Sequence, residues 1–94
     1  MDKKKNFEFE EAAKILKVLS HPIRLKIIKY LSQTECNVKN LENEFNISQS
    51  NVSQHLRILK FSGIIEPYRV GKEICYKIVN KKVVLILDML LNDK

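Results

Sequence analysis

The chain has 94 residues, the size of a single domain whose hydrophobic core is modest. Its 17 Lys and Arg against 11 Asp and Glu give a net charge of +6, which favours an anionic partner: nucleic acid, a membrane surface or an acidic protein. The sequence has no run of about 18 apolar residues, which excludes a membrane-spanning helix, and no apolar segment follows the basic N-terminus, so we expect no signal peptide.

The first predicted helix follows a short basic segment. We expect residues 1–6 to form a flexible basic arm and residues 7–94 to form one domain. From Phe7 to about Ser20 the apolar residues recur on one broad face, which is typical of an amphipathic helix. Its acidic residues come first and its lysines later, the order that the helix dipole favours.

The second predicted helix begins at Pro22, because proline is tolerated at the first helical position. Its apolar residues keep the helical spacing to about Ser32. We expect His21, just before the proline, to be a cap or packing residue. A metal ligand or a pH switch is less favoured, since no second ligand lies near His21 in the sequence.

A short third helix and a tight turn follow. Asn37 suits the N-cap of a helix over residues 38–45. Asn46 suits the left-handed residue of a turn, because its short polar side chain tolerates a positive φ. Ser48 suits the N-cap of the next helix. A short helix, a tight turn and a second helix together predict a helix-turn-helix.

The helix after Ser48 has two faces of different chemistry. Val52, Leu56 and Leu59 form one apolar stripe at helical spacing. No acidic residue occurs between Glu44 and Glu66, which fits an anionic partner. The face opposite the stripe carries hydroxyl, amide and guanidinium groups, which pair with base edges and phosphates in a major groove. We therefore predict that these residues contact DNA: Gln49, Ser50, Ser53, Gln54 and Arg57.

A β-hairpin is predicted next, after the preceding helix ends at Phe61 with Gly63 in its C-cap. Two segments of alternating pattern, 64–70 and 73–78, flank a short turn, and Pro67 either confines the first of them to a sheet edge or interrupts it. A lone hairpin is marginal in water, so it must pack on the helices as the wing of a winged helix. Arg69 and Lys72 lie at its tip, where they either contact DNA or belong to an ordinary solvated turn.

The last predicted helix, over residues 81–92, follows Asn80, which suits its N-cap, and is apolar almost all round. A chain of this size cannot cover such a helix, and the strongly polar face of a membrane-surface helix is missing, so we expect a homodimer. The fold class is thus mainly α with a small β-hairpin: about five helices and a two-stranded wing. We assign these residues to the dimer interface: Leu16, Leu19, Val84, Leu87 and Leu91.

Three parts of the chain carry a distinctive combination of motifs. They are Leu16–Ile28 with its His-Pro pair, Ser48–Lys60 with Ser-Gln-Ser-Asn-Val-Ser-Gln-His-Leu, and the hairpin residues Gly63–Ile65, Arg69–Lys72 and Tyr76. The combination resembles the ArsR/SmtB family of bacterial winged-helix repressors over about residues 12–92. The resemblance implies a homodimer that binds a promoter operator and releases it when a signal arrives. His55 stands where the family has a His-Leu pair, and we interpret it as structural.

The metal sites of that family do not carry over. Asn37 occupies the position of one family cysteine ligand, and Cys36 lies one place early. No histidine follows His55, and the chain lacks the three or four ligands that soft metals need. We therefore expect no metal and no cofactor. The second family site would fall on residues that do not form a ligand set: Asn80, Lys82 and Asp93.

Two cysteines, Cys36 and Cys75, remain to be explained. In a chain without a secretory signal they indicate the reducing cytoplasm. Some family members sense oxidants or reactive sulfur through a cysteine pair, so the resemblance makes these thiols candidates for a redox sensor. The alternative is that both are small buried hydrophobic residues.

The sequence therefore predicts a sequence-specific regulator that binds double-stranded operator DNA and not a membrane. No nucleophile–base pair or phosphate-binding loop is visible, so we do not expect an enzyme. The alternative is a winged-helix module for protein–protein contact with no inducer site. That alternative would place acids or an apolar patch on the exposed side of residues 49–57.

Overall fold

A computed structural model describes residues 3–34 and 41–91, with side chains from residue 8 onward. These residues contain the predicted five helices and one hairpin, which confirms the winged helix-turn-helix. None of the described helices is long and apolar enough to span a membrane. In chain order the elements are α1 (Lys3–Leu19), α2 (Pro22–Thr34), α3 (Leu41–Phe45), α4 (Gln49–Phe61), β1 (Ile65–Val70), β2 (Glu73–Ile78) and α5 (Lys81–Leu91).

Side chains cap the helices where the sequence predicted. The Ser48 hydroxyl accepts a hydrogen bond from the backbone N–H of Asn51 at 3.3 Å, at the start of α4. The Asn80 side chain accepts one from the N–H of Lys82 at 3.1 Å, at the start of α5. Asn46, in the turn before α4, has a φ of 53°. These local contacts set the direction in which each helix leaves its turn.

A Schellman motif ends α4. Gly63 has a φ of 74°, and its N–H donates to the carbonyl of Lys60 at 3.0 Å. The N–H of Ile64 donates to the carbonyl of Leu59 at 3.1 Å. The motif turns the chain directly from α4 into β1, so the wing is attached to the end of that helix.

The wing is a two-stranded antiparallel sheet. β1 runs without interruption through Pro67, which pairs with Tyr76, whereas the sequence left open an interruption at the proline. Both strands are edge strands, so the missing N–H of proline breaks no second ladder. The carbonyl of Ile64 accepts from the N–H of Val79 at 2.9 Å, which ties the end of the hairpin to its beginning.

One apolar core joins α1, α2, α4, β1 and α5, with Leu41 of α3 inside it. Phe45 and Ile47 pack against this core. The fully or almost fully buried apolar side chains are Leu19, Ile27, Ile28, Leu31, Leu41, Val52, Leu56, Leu59, Ile64, Ile65, Val83 and Leu87.

Some predicted bounds need correction. α1 begins at Lys3, so residues 3–6 are helical and do not form an arm. α2 runs two residues beyond Ser32, to Thr34. The predicted cap Asn37, the predicted start of the third helix at residue 38 and the last residue of the final helix, Asn92, lie outside the described residues.

Candidate nucleic-acid interface

Helix α4 buries one face and exposes the other. Val52, Leu56 and Leu59 are 0–5% exposed and fasten the helix to the core. The structure therefore brings the five predicted DNA-contacting residues of α4 together on one solvent-facing surface. All five are exposed: Gln49, Ser50, Ser53, Gln54 and Arg57.

The exposed face of α4 offers hydrogen-bonding groups without a competing negative charge. Amide side chains present a donor and an acceptor, hydroxyls rotate to serve as either, and a guanidinium forms bidentate bonds with guanine or phosphate. The Ser50 hydroxyl lies 3.3 Å from that of Ser48, near the exposed start of the helix. Acids are absent from α4. This surface is suited to a nucleic acid, a polyanion whose base edges form hydrogen bonds.

The wing presents the two predicted cations beside two apolar side chains. Arg69 and Lys72 are exposed at the end of the hairpin, where Gly71 forms the turn with a φ of 62°. Arg69 pairs across the ladder with Ile74, and both Ile74 and Val70 are exposed. The tip thus combines cations for phosphates with an apolar edge.

A cleft lies between α4 and β2 that was not predicted from the sequence. Lys60 and Phe61 extend the α4 face into it, and Tyr76 of β2 closes it. Phe61 is 80% exposed and adds a large apolar side chain to a face that the sequence predicted to carry polar groups. Its spacing could have revealed it, because Phe61 lies four residues after Arg57 and therefore on the same side of the helix. The remaining lining residues come from α4: Ser53, Leu56 and Arg57.

A polar contact fixes α4 to α2 behind this surface. Nε of Arg24 donates to Nδ1 of His55 at 3.2 Å, and another guanidinium nitrogen donates to the carbonyl of Val18 at 3.1 Å. The His21 and His55 rings lie 4.5 Å apart between centroids. His21 also accepts a hydrogen bond from the N–H of Ile23 at 3.2 Å, which confirms its predicted role as a cap.

The environment of His55 lowers its pKa below the ordinary value of 6.5. Partial burial of the ring is the largest cause, and the neighbouring His21 and Arg24 act in the same direction. Burial disfavours the charged imidazolium, and nearby cations disfavour it further. The neutral ring is therefore the form that the fold favours.

The five residues assigned to a dimer interface fall into two groups. Leu19 and Leu87 belong to the core of the single chain and are not available on its surface. Leu16 and Leu91 are exposed, and Val84 is half-buried. The reason is the period of α5, which turns Val83 and Leu87 inward against α2. Other large apolar side chains are exposed on α1 and α5: Phe9, Leu85, Met89 and Leu90.

The structure places one of the two cysteines. Cys75 is fully buried on β2 and disulfide-bonded. Cys36, the other cysteine of the sequence, lies outside the described residues, as do Asn37 and Asp93. Among the residues that the structure describes, no group of three or more His, Cys, Asp and Glu could hold a metal ion.

Comparisons with known proteins agree with this geometry. Residues 21–66 match the family described as bacterial regulatory protein, arsR family. A biofilm growth-associated repressor of Xylella fastidiosa is 38% identical over 90 residues, which are 96% of this chain and 75% of that protein. The transcriptional repressor PagR of Bacillus anthracis is 40% identical over 83 residues, 86% of this chain and 82% of PagR. The crystal structure of a predicted DNA-binding transcriptional regulator from E. coli superposes with a TM-score of 0.84 at 34% identity, covering 97% of each chain.

Proposed function

The chain belongs to the arsR family of bacterial regulatory proteins, and from that premise we propose that it is a dimeric, cytoplasmic, non-enzymatic repressor of operator DNA. The observation that carries the proposal is the exposed face of α4. Its five polar residues are free of acids and are held outward by a fully buried apolar stripe. The exposed side of residues 49–57 carries neither the acids nor the apolar patch that the protein–protein alternative would place there.

The proposed contacts divide into two kinds. On α4, Gln49, Ser50, Ser53, Gln54 and Arg57 face base edges in the major groove and specify sequence. Arg69 and Lys72 of the wing face the backbone or the minor groove and position the protein. Lys60, in the cleft beside the wing, joins the positioning group because its charge faces the same side as Arg57.

A second copy of the chain is the proposed cover for α1 and α5. Leu85 and Met89 of α5 are 62% and 79% exposed, and Leu16 of α1 is 55% exposed. Burying such side chains against each other removes apolar area from water, the dominant favourable term in protein association. Two-fold pairing also gives two α4 helices, which can enter major grooves about 34 Å apart on a palindrome.

Binding to a fluorescent duplex of the chain's own upstream promoter tests the proposal. We expect tight binding that weakens steeply as salt increases, because phosphate contacts release counterions. Gln54→Ala should reduce the preference for the promoter over a scrambled duplex. The matched control is Gln33→Ala on the exposed end of α2, which should leave that preference unchanged. Equal affinity of wild type for both duplexes would contradict a sequence-specific repressor.

We further propose that a thiol–disulfide change controls DNA binding. The support is the bonded, buried Cys75 on a wing strand, next to Tyr76 of the cleft. We infer that Cys36 is its partner, since the sequence has no third cysteine. Formation of the bond passes two electrons to an oxidant and releases two protons, and a dithiol reductant reverses it.

The redox proposal is tested with the same duplex and reduced or oxidised protein. We expect oxidation to change the affinity of wild type and to leave Cys36→Ser unchanged. Because Cys75 is fully buried, a variant at Cys36 is the less disruptive choice. If reduced and oxidised wild type bind the duplex equally, the cysteines are structural, which is the alternative that the sequence left open.

A further inference from the structure

The sequence separates the two histidines of this chain, and the fold brings them together. His21 precedes α2 and His55 lies on α4, yet their rings are 4.5 Å apart. Arg24 completes the cluster by donating to His55, 31 residues away in the chain. Their separation in the sequence gave no indication of this contact. α2 packs across α4, and such packing is not visible in local spacing.

Arg24 connects three helices. Its backbone is part of α2, one side-chain nitrogen holds the Val18 carbonyl of α1, and Nε holds His55 of α4. Val18 lies in the last turn of α1, where carbonyl groups lack a partner within the helix. The guanidinium is a planar fork that satisfies both acceptors at once. Moving α4 relative to α2 therefore breaks the hydrogen bond between Arg24 and His55, which are both half-buried.

The contact requires the neutral form of His55. Nδ1 accepts the hydrogen bond from Arg24, so the ring proton is on Nε2. Protonation would place a second N–H on Nδ1, directed at a guanidinium that can only donate. It would also place a positive charge beside Arg24 and His21. One proton thus replaces an attraction between α2 and α4 with a repulsion.

The cluster is not suited to a metal ion. The Nδ1 of His55 is already used by Arg24, and Nδ1 of His21 is used by the N–H of Ile23. A guanidinium next to the remaining nitrogens repels a cation. The described residues supply no third ligand here. The remaining role of this cluster is to fix the position of α4 relative to α2.

We propose that Arg24 and His55 form a pH-sensitive clamp that positions the recognition helix α4, so that protonation of His55 weakens specific DNA binding. This inference rests on the proposed operator binding, but the clamp itself is a property of the free protein. Arg24 and His55 are positioning residues, because the α4 residues that face DNA are different ones.

The charges around His55 determine the direction of the effect. The groups that act on it are Arg24 on α2 and His21 just before that helix. Among the described residues, α3 and β1 also pack against α4 but contribute no charge that perturbs the ring. Because the folded pKa of His55 lies below its unfolded value of 6.5, its stabilising contribution is complete above pH 6.5. It is lost as the pH falls through the folded pKa.

The expected change in DNA affinity with falling pH is opposite to the change that net charge alone would cause. A protein that gains positive charge as the pH falls should bind DNA more tightly, since phosphates attract cations. The clamp predicts weaker specific binding, because the free energy of α4 docking is lost. As the pH falls below 6.5, protonation of one ring can lower the clamped population by at most about tenfold for each pH unit.

The test measures operator affinity between about pH 8 and about pH 5 at constant ionic strength. We expect the affinity of wild type to fall as the pH drops below 6.5, by at most about tenfold for each pH unit, which is the limit for one proton. His55→Gln keeps an acceptor for Arg24 but does not titrate, so its affinity should not fall with pH. His21→Gln is the matched control. It should retain the fall in affinity with pH, because the hydrogen bond from Arg24 to Nδ1 of His55 remains. Equal pH profiles for wild type and His55→Gln would overturn the proposal.

A second measurement on free protein separates the clamp from the DNA-binding function. The chain has two histidines, so its imidazole NMR spectrum contains the signals of only two rings. We expect the His55 ring to titrate below pH 6.5 and the amides of α4 to exchange faster once it is protonated. Titration of His55 at or above its ordinary pKa would refute the clamp. If no duplex binds at any pH, the proposed function fails, and amide exchange in wild type against His55→Gln still decides the clamp.

Discussion

Helices α4 and α5 have similar lengths and expose faces of opposite chemistry. α4 has 13 residues and α5 has 11, and each buries one apolar stripe in the same core. Outside the core, α4 presents amides, hydroxyls and a guanidinium, whereas α5 presents Leu85, Met89 and Leu90. The chemistry of the face that each helix leaves exposed therefore indicates the kind of partner that it binds. A polar face without acids fits DNA, and an apolar face fits a second copy of the same helix.

The largest expected effect is on the apolar face. Met89→Glu should shift the protein to monomer and raise its dimer dissociation constant by about 100-fold or more, because a buried unpaired charge costs about 3–5 kcal/mol. Met89 is 79% exposed in the single chain, so its fold should survive. Sedimentation equilibrium checks the result. Ser32→Glu on the exposed end of α2 is the control, and equal dimerisation of both variants would contradict an α5 interface.

A substitution on the polar face of α4 should change DNA binding and leave dimerisation unaffected. Arg57→Ala should weaken operator binding by about 1–3 kcal/mol, about 5- to 150-fold, and should relax preference at one base position. Its dimerisation should be unchanged, because Arg57 is exposed on α4, away from α1 and α5. Fluorescence anisotropy with a set of single-base variants checks both parts. A loss of dimer in Arg57→Ala would break the division between the two helices.

A smaller effect is expected at the edge of the polar face. Lys60→Gln should weaken binding about equally for all sequences and should lower the slope of log affinity against log salt by about 1. The physical reason is the loss of one phosphate contact in the cleft beside the wing. Lys81→Gln, an exposed lysine at the start of α5, provides the comparison. An unchanged slope in Lys60→Gln would remove this residue from the interface.

The smallest expected effect concerns the N-caps of α4 and α5. Each is capped by a side chain, Ser48 for α4 and Asn80 for α5. Ser48→Ala and Asn80→Ala should each lower the free energy of unfolding by about 1 kcal/mol, since one N–H at the first turn loses its acceptor. Urea unfolding of each variant measures this loss. Equal stability of Ser48→Ala and wild type would show that water replaces the cap.

The features that local sequence predicted well are those made by neighbours in the chain. Ser48, Asn80, Asn46 and Gly63 all stand where predicted, because a cap or turn involves residues within about five positions. The buried stripe of α4 was predicted for the same reason. Helical periodicity already separates Val52 and Leu56 from the polar face.

The features that sequence reasoning missed depend on distant packing. Leu19 and Leu87 were assigned to an interface, but α1 and α5 turn them into the core of one chain. Phe61 was treated as the end of a helix, and only the position of the wing shows that it borders a cleft with Tyr76. A periodic pattern identifies an apolar face but does not say whether the same chain or another covers it.

The helix-turn-helix, the wing and the charge of the exposed α4 face could be predicted from the sequence, because hydrogen bonds and side-chain spacing within each element specify them. Which leucines remain exposed, and that Arg24 and His21 meet His55, could be seen only in the folded chain. Those outcomes depend on how α2 crosses α4 and α5. Such crossings are set by the packing of whole helix surfaces, which no short stretch of sequence contains.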